Sequence, residues 1–189
     1  MKTQLIISIK ILLVFTIITG IFYPLIITGI SQLAFPHQAN GSLIIQKKQI
    51  IGSELIGQNF TNDMYFWSRP SAIHYNPLPS GGSNYGMTSQ ILQDNAFNEK
   101  LMFTKENHLS AGIKIPNEMI FSSASGLDPH ISVEAAILQV KRIASARNID
   151  EKLIFELLNR LEENRQYFVL GEPRINVLLL NLELDKDFK

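Results

Sequence analysis

Residues 11–30, ILLVFTIITGIFYPLIITGI, decide how this chain is organised, because they are apolar apart from threonines, two glycines, one tyrosine and one proline. About 20 such residues in a helix, at about 1.5 Å each, cover the roughly 30 Å hydrocarbon core of a bilayer. A secretory signal peptide has a shorter apolar region, of about 7–15 residues, before a small-residue cleavage site. A buried soluble helix is rarely apolar on every face. The stretch therefore predicts a transmembrane helix over residues 11–33, after a short tail of residues 1–10.

Charge placement around this stretch predicts its orientation. No Asp, Glu, Lys or Arg occurs between Lys10 and Lys47. Lys2, Lys10 and the terminal amine precede the span, and basic residues flanking a span favour the cytoplasmic side. We therefore expect a single-pass membrane protein, with a cytoplasmic amino terminus and residues 34–189 outside the cytoplasm.

Small or ring-shaped residues recur every four positions within the span, at Thr16, Gly20, Pro24 and Thr28. Small residues let helix backbones approach closely in lipid, where packing replaces the hydrophobic effect. The stripe predicts a face that docks against partner helices. The alternative is that Gly and Pro are simply common in membrane spans.

Composition excludes several classes of protein. The 189 residues carry 17 basic and 17 acidic side chains, and this zero net charge argues against a nucleic-acid partner, which would require a basic excess. The absence of cysteine excludes thiol nucleophiles, thiolate metal sites and disulfide scaffolds. The four histidines have no neighbour at metal-ligand spacing, so no metal site is expected.

The rest of the chain predicts one mixed α/β domain, and the fold class is α+β, with a single N-terminal transmembrane helix followed by that domain over residues 34–189. Short β-type runs between residues 42 and 60 predict two or three strands or a hairpin. Residues 65–86, rich in Pro, Gly and aromatic side chains, predict an ordered irregular loop.

Two amphipathic helices and a strand are expected near the carboxyl end. Ser132 is expected to cap a helix whose apolar residues recur between residues 133 and 144, and Asp150 is expected to cap a second over residues 153–161. Residues 175–184, INVLLLNLEL, predict a strand covered mainly on one side.

Catalytic motifs are missing from the sequence. It contains no GxxxxGK[ST] phosphate loop, no HExxH and no GxSxG. Asp128 and His130 allow an acid–base pair, with Ser125 as the nucleophile of a membrane-anchored hydrolase, but Asp and Pro before a helix also serve as turn residues.

The tract Ser80-Gly81-Gly82-Ser83-Asn84 is the one candidate phosphate cradle, since successive glycines free backbone N–H groups for an anion. These five residues are therefore a candidate nucleotide contact, and a nucleotide-binding sensor is a further alternative function for the protein. A tight turn is the competing interpretation.

Several motifs, in order over nearly the whole chain, resemble the C subunit of the bacterial Kdp potassium-transporting ATPase. They follow the amino-terminal span and are GSxLIGQxF at 52–60, YFxxRPSA at 65–72, SGGSN at 80–84, SASGLDPHIS at 123–132 and GEPxINVLxLN at 171–181.

The resemblance implies a non-catalytic accessory subunit of a complex that takes up potassium with ATP and needs this subunit for assembly and activity. Its implied partners are a channel-like ion-conducting subunit and a P-type ATPase subunit in the same bilayer. The resemblance also implies a catalytic chaperone that raises the ATPase subunit's affinity for ATP, with residues 80–84 as the nucleotide contact. The expected orientation places this tract where ATP is scarce, which favours a brace on the ion-conducting subunit. No tightly bound cofactor is expected, and ATP is expected only through the complex.

Overall fold

One helical run occupies the amino-terminal end of the computed structural model, which describes residues 1–110 and 112–188. Helix α1 (Lys2–Ile17) is followed by a π-helical turn (Ile18–Phe22) and helix α2 (Tyr23–Ala34). The 33-residue run Lys2–Ala34 is apolar and long enough to cross a membrane, and none of it is buried within the chain. It includes the predicted span and begins nine residues before it.

The π-helical turn has a local cause in Pro24, the second residue of α2. Proline has no backbone N–H to donate to Gly20 four residues earlier, and its ring crowds that carbonyl. A wider turn before the proline relieves this conflict, as π-turns in α-helices commonly do. Thr19 adds a bond from its hydroxyl Oγ1 to the Phe15 carbonyl at 2.7 Å.

A short helix α3 (Pro36–Ala39) and an antiparallel hairpin complete the first of two compact units, Met1–Ser53 and Glu54–Lys189. The hairpin joins strands β1 (Leu43–Gln46) and β2 (Gln49–Ser53). Its two turn residues, Lys47 and Lys48, both have positive φ, as a tight two-residue hairpin turn requires. The predicted hairpin is therefore confirmed.

The second unit begins with turns and extended segments over residues 54–89 and continues with helices around a two-stranded sheet. In the sheet, Ile131 lies opposite Ile175 in antiparallel register, and both are buried. The elements are α4 (Gln90–Glu106), a 3₁₀ turn (Asn117–Met119), β3 (His130–Ser132), α5 (Val133–Ile137), α6 (Val140–Arg147), α7 (Glu151–Leu161), β4 (Arg174–Asn176) and α8 (Val177–Asp187).

Both predicted helix caps are present. The Ser132 hydroxyl accepts the Ala135 N–H at 3.1 Å, and the Asp150 carboxylate accepts the Lys152 N–H at 2.8 Å. The helix expected to continue from residue 133 to residue 144 is instead two helices, because α5 ends at Ile137 and α6 begins at Val140. Helices α5 to α8 supply most of the core, whose fully buried members include Ala135, Ala136, Ile143, Ile154, Val177, Leu180 and Leu184.

The strand predicted over residues 175–184 is wrong beyond its first two residues. Strand β4 ends at Asn176, and that side chain caps α8 by accepting the N–H groups of Leu178 and Leu179 at 3.1 and 3.2 Å. The short apolar run Val177–Leu180 suits a buried helix as well as a strand, and its leucines favour the helix.

Helix α4 is an element that the sequence did not predict. Only Phe103 is buried among its 17 residues, so its apolar residues form no clear stripe. The α+β class, with an apolar amino-terminal helix long enough to span a membrane and a mixed domain after it, is confirmed.

Candidate functional site: a loop cluster and a charged cleft

Four segments that are distant in the sequence meet in one loop cluster, formed by residues 57–58, 68–71, 80–82 and 123–128. Backbone hydrogen bonds join them: the N–H of Gly57 donates to the Leu127 carbonyl at 2.7 Å, and that of Gly81 to Ser125 at 3.0 Å. The Ser123 N–H donates to Pro70 at 3.1 Å. The loop cluster therefore unites residues from four of the five motif blocks on which the sequence resemblance rests.

In the loop cluster, serine hydroxyls make the backbone hydrogen bonds that a strand or helix would otherwise make. The Ser71 hydroxyl donates to the Gly126 carbonyl at 2.7 Å and accepts the Tyr75 N–H at 2.9 Å. The Ser80 hydroxyl donates to the Ser125 carbonyl at 2.8 Å. Each bond satisfies a backbone group that has no strand or helix partner, which orders the loop without a sheet.

Two positions in the loop cluster require glycine. A Cβ at Gly57 would lie 2.6 Å from the carbonyl oxygen of Asp128, which is backbone and cannot swing aside. Gly126 has φ +72°, and a Cβ there would lie 2.9 Å from the Gly81 carbonyl oxygen. The close approach of the segments explains why the motif blocks contain these glycines.

The candidate nucleotide tract, Ser80 to Asn84, lies partly in the loop cluster. Its first two residues bind the Ser125 carbonyl through the Ser80 hydroxyl and the Gly81 N–H, and Asn84 has φ +55°. A phosphate cradle needs N–H groups that point at the anion, and the Gly81 N–H points at a carbonyl instead. The start of the tract is therefore packed against Ser125, and both the tight turn and nucleotide contact stay predictions.

Side-chain amides hold the backbone of Phe66 and Trp67 in the core. Asn181 of α8 pairs with both the N–H and the carbonyl of Phe66, at 2.8 and 2.9 Å. Gln139, between α5 and α6, pairs in the same way with Trp67, at 2.7 and 3.3 Å. Sequence reasoning missed both residues. The available signal was a polar residue on an otherwise apolar helix face.

Arg142 of α6 is buried beneath the same segment. Its guanidinium donates to the Asn107 side chain at 2.9 Å and to the Asp63 carbonyl at 2.6 Å, and it stacks 4.0 Å from the centre of the Trp67 ring. Burial lowers the pKa of Arg142 to about 10, so the side chain is charged at neutral pH. A buried cation with this many acceptors fixes the shape of residues 63–67.

A charged cleft of about 430 Å³ opens beside the loop cluster, between strand β3 and residues 163–174. Seven charged or titratable side chains line it, and five of them lie in contact one after another. Arg69 pairs with Asp128 at 2.7 Å, and Glu163 pairs with Arg174 at 2.9 Å. His130 lies between the two carboxylates, with Nδ1 3.7 Å from Asp128 and Nε2 3.6 Å from Glu163.

Asp128 acts in this cleft as a turn residue. Its Oδ1 accepts the His130 backbone N–H at 3.0 Å. Burial raises the pKa of Asp128, but the side chain and backbone N–H of His130 and the Arg69 guanidinium outweigh burial and lower that pKa to about 2. Ser125 accepts the Leu127 N–H with its hydroxyl oxygen at 3.1 Å, which is also a turn contact.

A second cleft, of about 440 Å³, lies between α4 and residues 59–75. Burial raises the pKa of Tyr75 to about 12 and raises that of Glu99, and both line this cleft. Across residues 1–110 and 112–188, no three His, Asp or Glu side chains are grouped to hold a metal ion.

Comparison with known proteins gives one family. The family described as K⁺-transporting ATPase, c chain (KdpC) matches residues 5–186. A potassium-transporting ATPase KdpC subunit of Leptospira interrogans is 44% identical over 96% of this chain and 93% of its own length. Its counterparts in Methylococcus capsulatus and Geobacter metallireducens are each 46% identical, over 92% and 95% of this chain and 93% and 95% of their own lengths.

Proposed function

Because the chain belongs to the KdpC family, the c chain of K⁺-transporting ATPases, we propose that it is a non-catalytic subunit that assembles and braces an ATP-driven potassium-uptake complex in the bacterial cell membrane. The observation that carries this proposal is the apolar run Lys2–Ala34, none of which is buried within the chain. Such a helix requires lipid or other membrane helices around it.

The sequence supports a division of labour within the complex. It contains neither the DKTGT motif of P-type phosphorylation nor a TVGYG-type potassium filter. A single span cannot enclose an ion pathway. We therefore assign conduction to a channel-like subunit and phosphorylation to a P-type ATPase subunit, and we assign support of these partners to this chain.

Two observations favour a brace over direct nucleotide contact. Lys2 and Lys10 precede the span, which favours a cytoplasmic amino terminus and an extracytoplasmic position for Glu54–Lys189. The Gly81 N–H, in the candidate nucleotide tract, is bonded to Ser125. In the catalytic-chaperone role, this subunit raises the ATP affinity of the ATPase subunit. From an extracytoplasmic position, that effect must pass through the membrane helices as a conformational coupling between two states of the complex.

We assign docking within the membrane to the face that carries Thr16, Gly20, Pro24 and Thr28. On a regular α-helix each four-residue step drifts by about 40°, so three steps would move the stripe by about 120°. The π-helical turn Ile18–Phe22 contains one more residue than an α-helical turn. It therefore rotates Pro24 and Thr28 back toward the face of the helix that carries Thr16. The turn thus supports one continuous docking face.

Sidedness is the experiment that tests the brace. The chain has no cysteine, and Met87 is 85% exposed, so Met87→Cys provides a single accessible thiol. We expect a membrane-impermeant maleimide to label Met87→Cys in intact cells, and to label the matched variant Thr3→Cys only after permeabilisation. Labelling of Met87→Cys only after permeabilisation would overturn the brace and favour the nucleotide contact.

Two further measurements separate the alternatives. Equilibrium binding of ATP to the purified full-length chain in detergent tests the nucleotide sensor, and no binding at millimolar ATP would exclude it. Substituting His130→Ala tests the hydrolase with Ser125 and Asp128. Under the proposed function, the variant retains complex assembly and potassium-limited growth.

A further inference from the structure

A hairpin between α7 and β4, residues 163–174, presents four consecutive apolar side chains to solvent. Tyr167 is 84% exposed, Phe168 94%, Val169 72% and Leu170 57%. Single exposed apolar residues are ordinary, but a contiguous set at a loop tip marks an interaction surface. We call residues 167–170 the apolar tip.

The apolar tip stands on a well-bonded base. Glu163 and Arg174 exchange two backbone hydrogen bonds, at 2.8 and 3.1 Å, and Gln166 and Leu170 exchange two more, both at 2.9 Å. Arg174 also lies opposite Ser132 in the β3–β4 sheet. The tip is therefore tied to the core sheet and held in one shape, which lowers the entropy lost on binding.

Charges around the tip argue against a lipid surface. Residues 162–174 contain three glutamates and two arginines. Arg165 pairs with Glu172, and Arg174 pairs with Glu163. Segments that bind anionic membranes carry an excess of Lys and Arg. This segment has a formal charge of −1 and its arginines are already paired, so its binding surface is the apolar tip alone.

We propose that the apolar tip docks into an uncharged apolar pocket on a fellow subunit of the same complex. This inference rests on the proposed function and identifies the surface through which the domain acts. Tyr and Phe are side chains that anchor protein interfaces, because each buries a large area with few rotatable bonds. Tyr167 and Phe168 are the two anchors, and Val169 and Leu170 exclude water beside them.

Photo-crosslinking within the assembled complex tests this docking. A photoreactive phenylalanine analogue replaces Phe168 in the full-length tagged chain, and in a control it replaces Phe97, a 61% exposed residue on α4. We expect Phe168 to crosslink to a fellow subunit at least tenfold more efficiently than Phe97 does. Crosslinks to lipid alone, to a second copy of this chain alone, or to nothing would each overturn the proposal.

A double variant, Tyr167→Ser with Phe168→Ser, measures what the tip contributes. Both side chains are exposed, so the fluorescence of Trp67, the only tryptophan, is expected to match that of the unaltered chain. We expect at least tenfold less of the fellow subunits to be recovered with the tagged chain, whereas Phe97→Ser recovers them fully. Full recovery with the double variant would overturn the tip proposal alone. Failure of the unaltered chain to recover any subunit would instead overturn the proposed function.

Discussion

The side-chain amide of Asn181, on α8, makes both backbone hydrogen bonds of Phe66: Oδ1 accepts the N–H at 2.8 Å and Nδ2 donates to the carbonyl at 2.9 Å. A neighbouring strand would make the same pair of bonds. Because Gln139 repeats the arrangement at Trp67, an extended segment crosses the core without a sheet. One side chain from α8 and one from the turn between α5 and α6 thus substitute for a strand.

Removing the Asn181 amide should destabilise the protein strongly. Asn181→Leu leaves the buried N–H and carbonyl of Phe66 without partners, at about 1–3 kcal/mol each. We expect the free energy of unfolding to fall by about 2–6 kcal/mol, measured by urea titration of the full-length chain in detergent with Trp67 fluorescence. Asn181→Asp keeps the acceptor for the N–H and should lose less. Equal stability of Asn181→Leu and the unaltered chain would contradict this role.

Local signals in the sequence predicted several elements correctly. The apolar helix, the hairpin before residue 54 and the caps at Ser132 and Asp150 depend on adjacent residues, and the structure contains all of them. The strand expected over residues 175–184 failed because period and propensity do not separate a short buried helix from a strand. Helix α4 was missed because it buries only Phe103.

The candidate site was less predictable, because it depends on contacts between distant segments. The sequence indicated Asp128 as a candidate acid–base residue, but only the fold places the Arg69 guanidinium 2.7 Å from its carboxylate. A polar residue within an apolar helical stretch did not by itself show that Gln139 or Arg142 would be buried. Their roles become visible only when residues 63–67 are placed against α6.

Gly57 should not tolerate a methyl group. Gly57→Ala places a Cβ 2.6 Å from the Asp128 carbonyl oxygen, so the two segments must separate and weaken the Gly57–Leu127 hydrogen bond. Forced overpacking with a lost hydrogen bond costs about 2–4 kcal/mol. The matched control is Gly81→Ala, because a Cβ there meets nothing within 4 Å. Thermal unfolding should show a lowered midpoint for Gly57→Ala only, and equal midpoints would be inconsistent with the close approach.

Asp128 should give the protein part of its resistance to acid. Its pKa is about 2 in the folded chain and 3.8 as the ordinary value, so its contribution is present above about pH 4 and is lost as pH falls toward 2. The contribution is about 1–2 kcal/mol, allowing for solvent screening of a side chain that is 30% exposed.

The variant Asp128→Asn tests the predicted direction of this pH dependence. At pH 7 it should be less stable than the unaltered chain by about 1–2 kcal/mol, and the difference should shrink between pH 4 and pH 2. Urea titrations at a series of pH values measure it. Ser80→Ala, in the same loop cluster, changes no titratable group. Its free energy of unfolding should therefore change with pH in parallel with that of the unaltered chain. A difference for Asp128→Asn that stays constant with pH would refute the ion-pair account.

Gly20 should be the most sensitive position for docking within the membrane. It lies inside the π-helical turn, between Thr16 and Pro24 on the proposed docking face, and its missing side chain lets a neighbouring helix approach the backbone. Gly20→Leu should reduce recovery of the fellow subunits several-fold in detergent pull-downs. Gly29→Leu is the matched control, because Gly29 lies in the same run outside the four-residue stripe and also has open space around it. If the two variants recover the complex equally well, the stripe reflects only the ordinary composition of membrane spans.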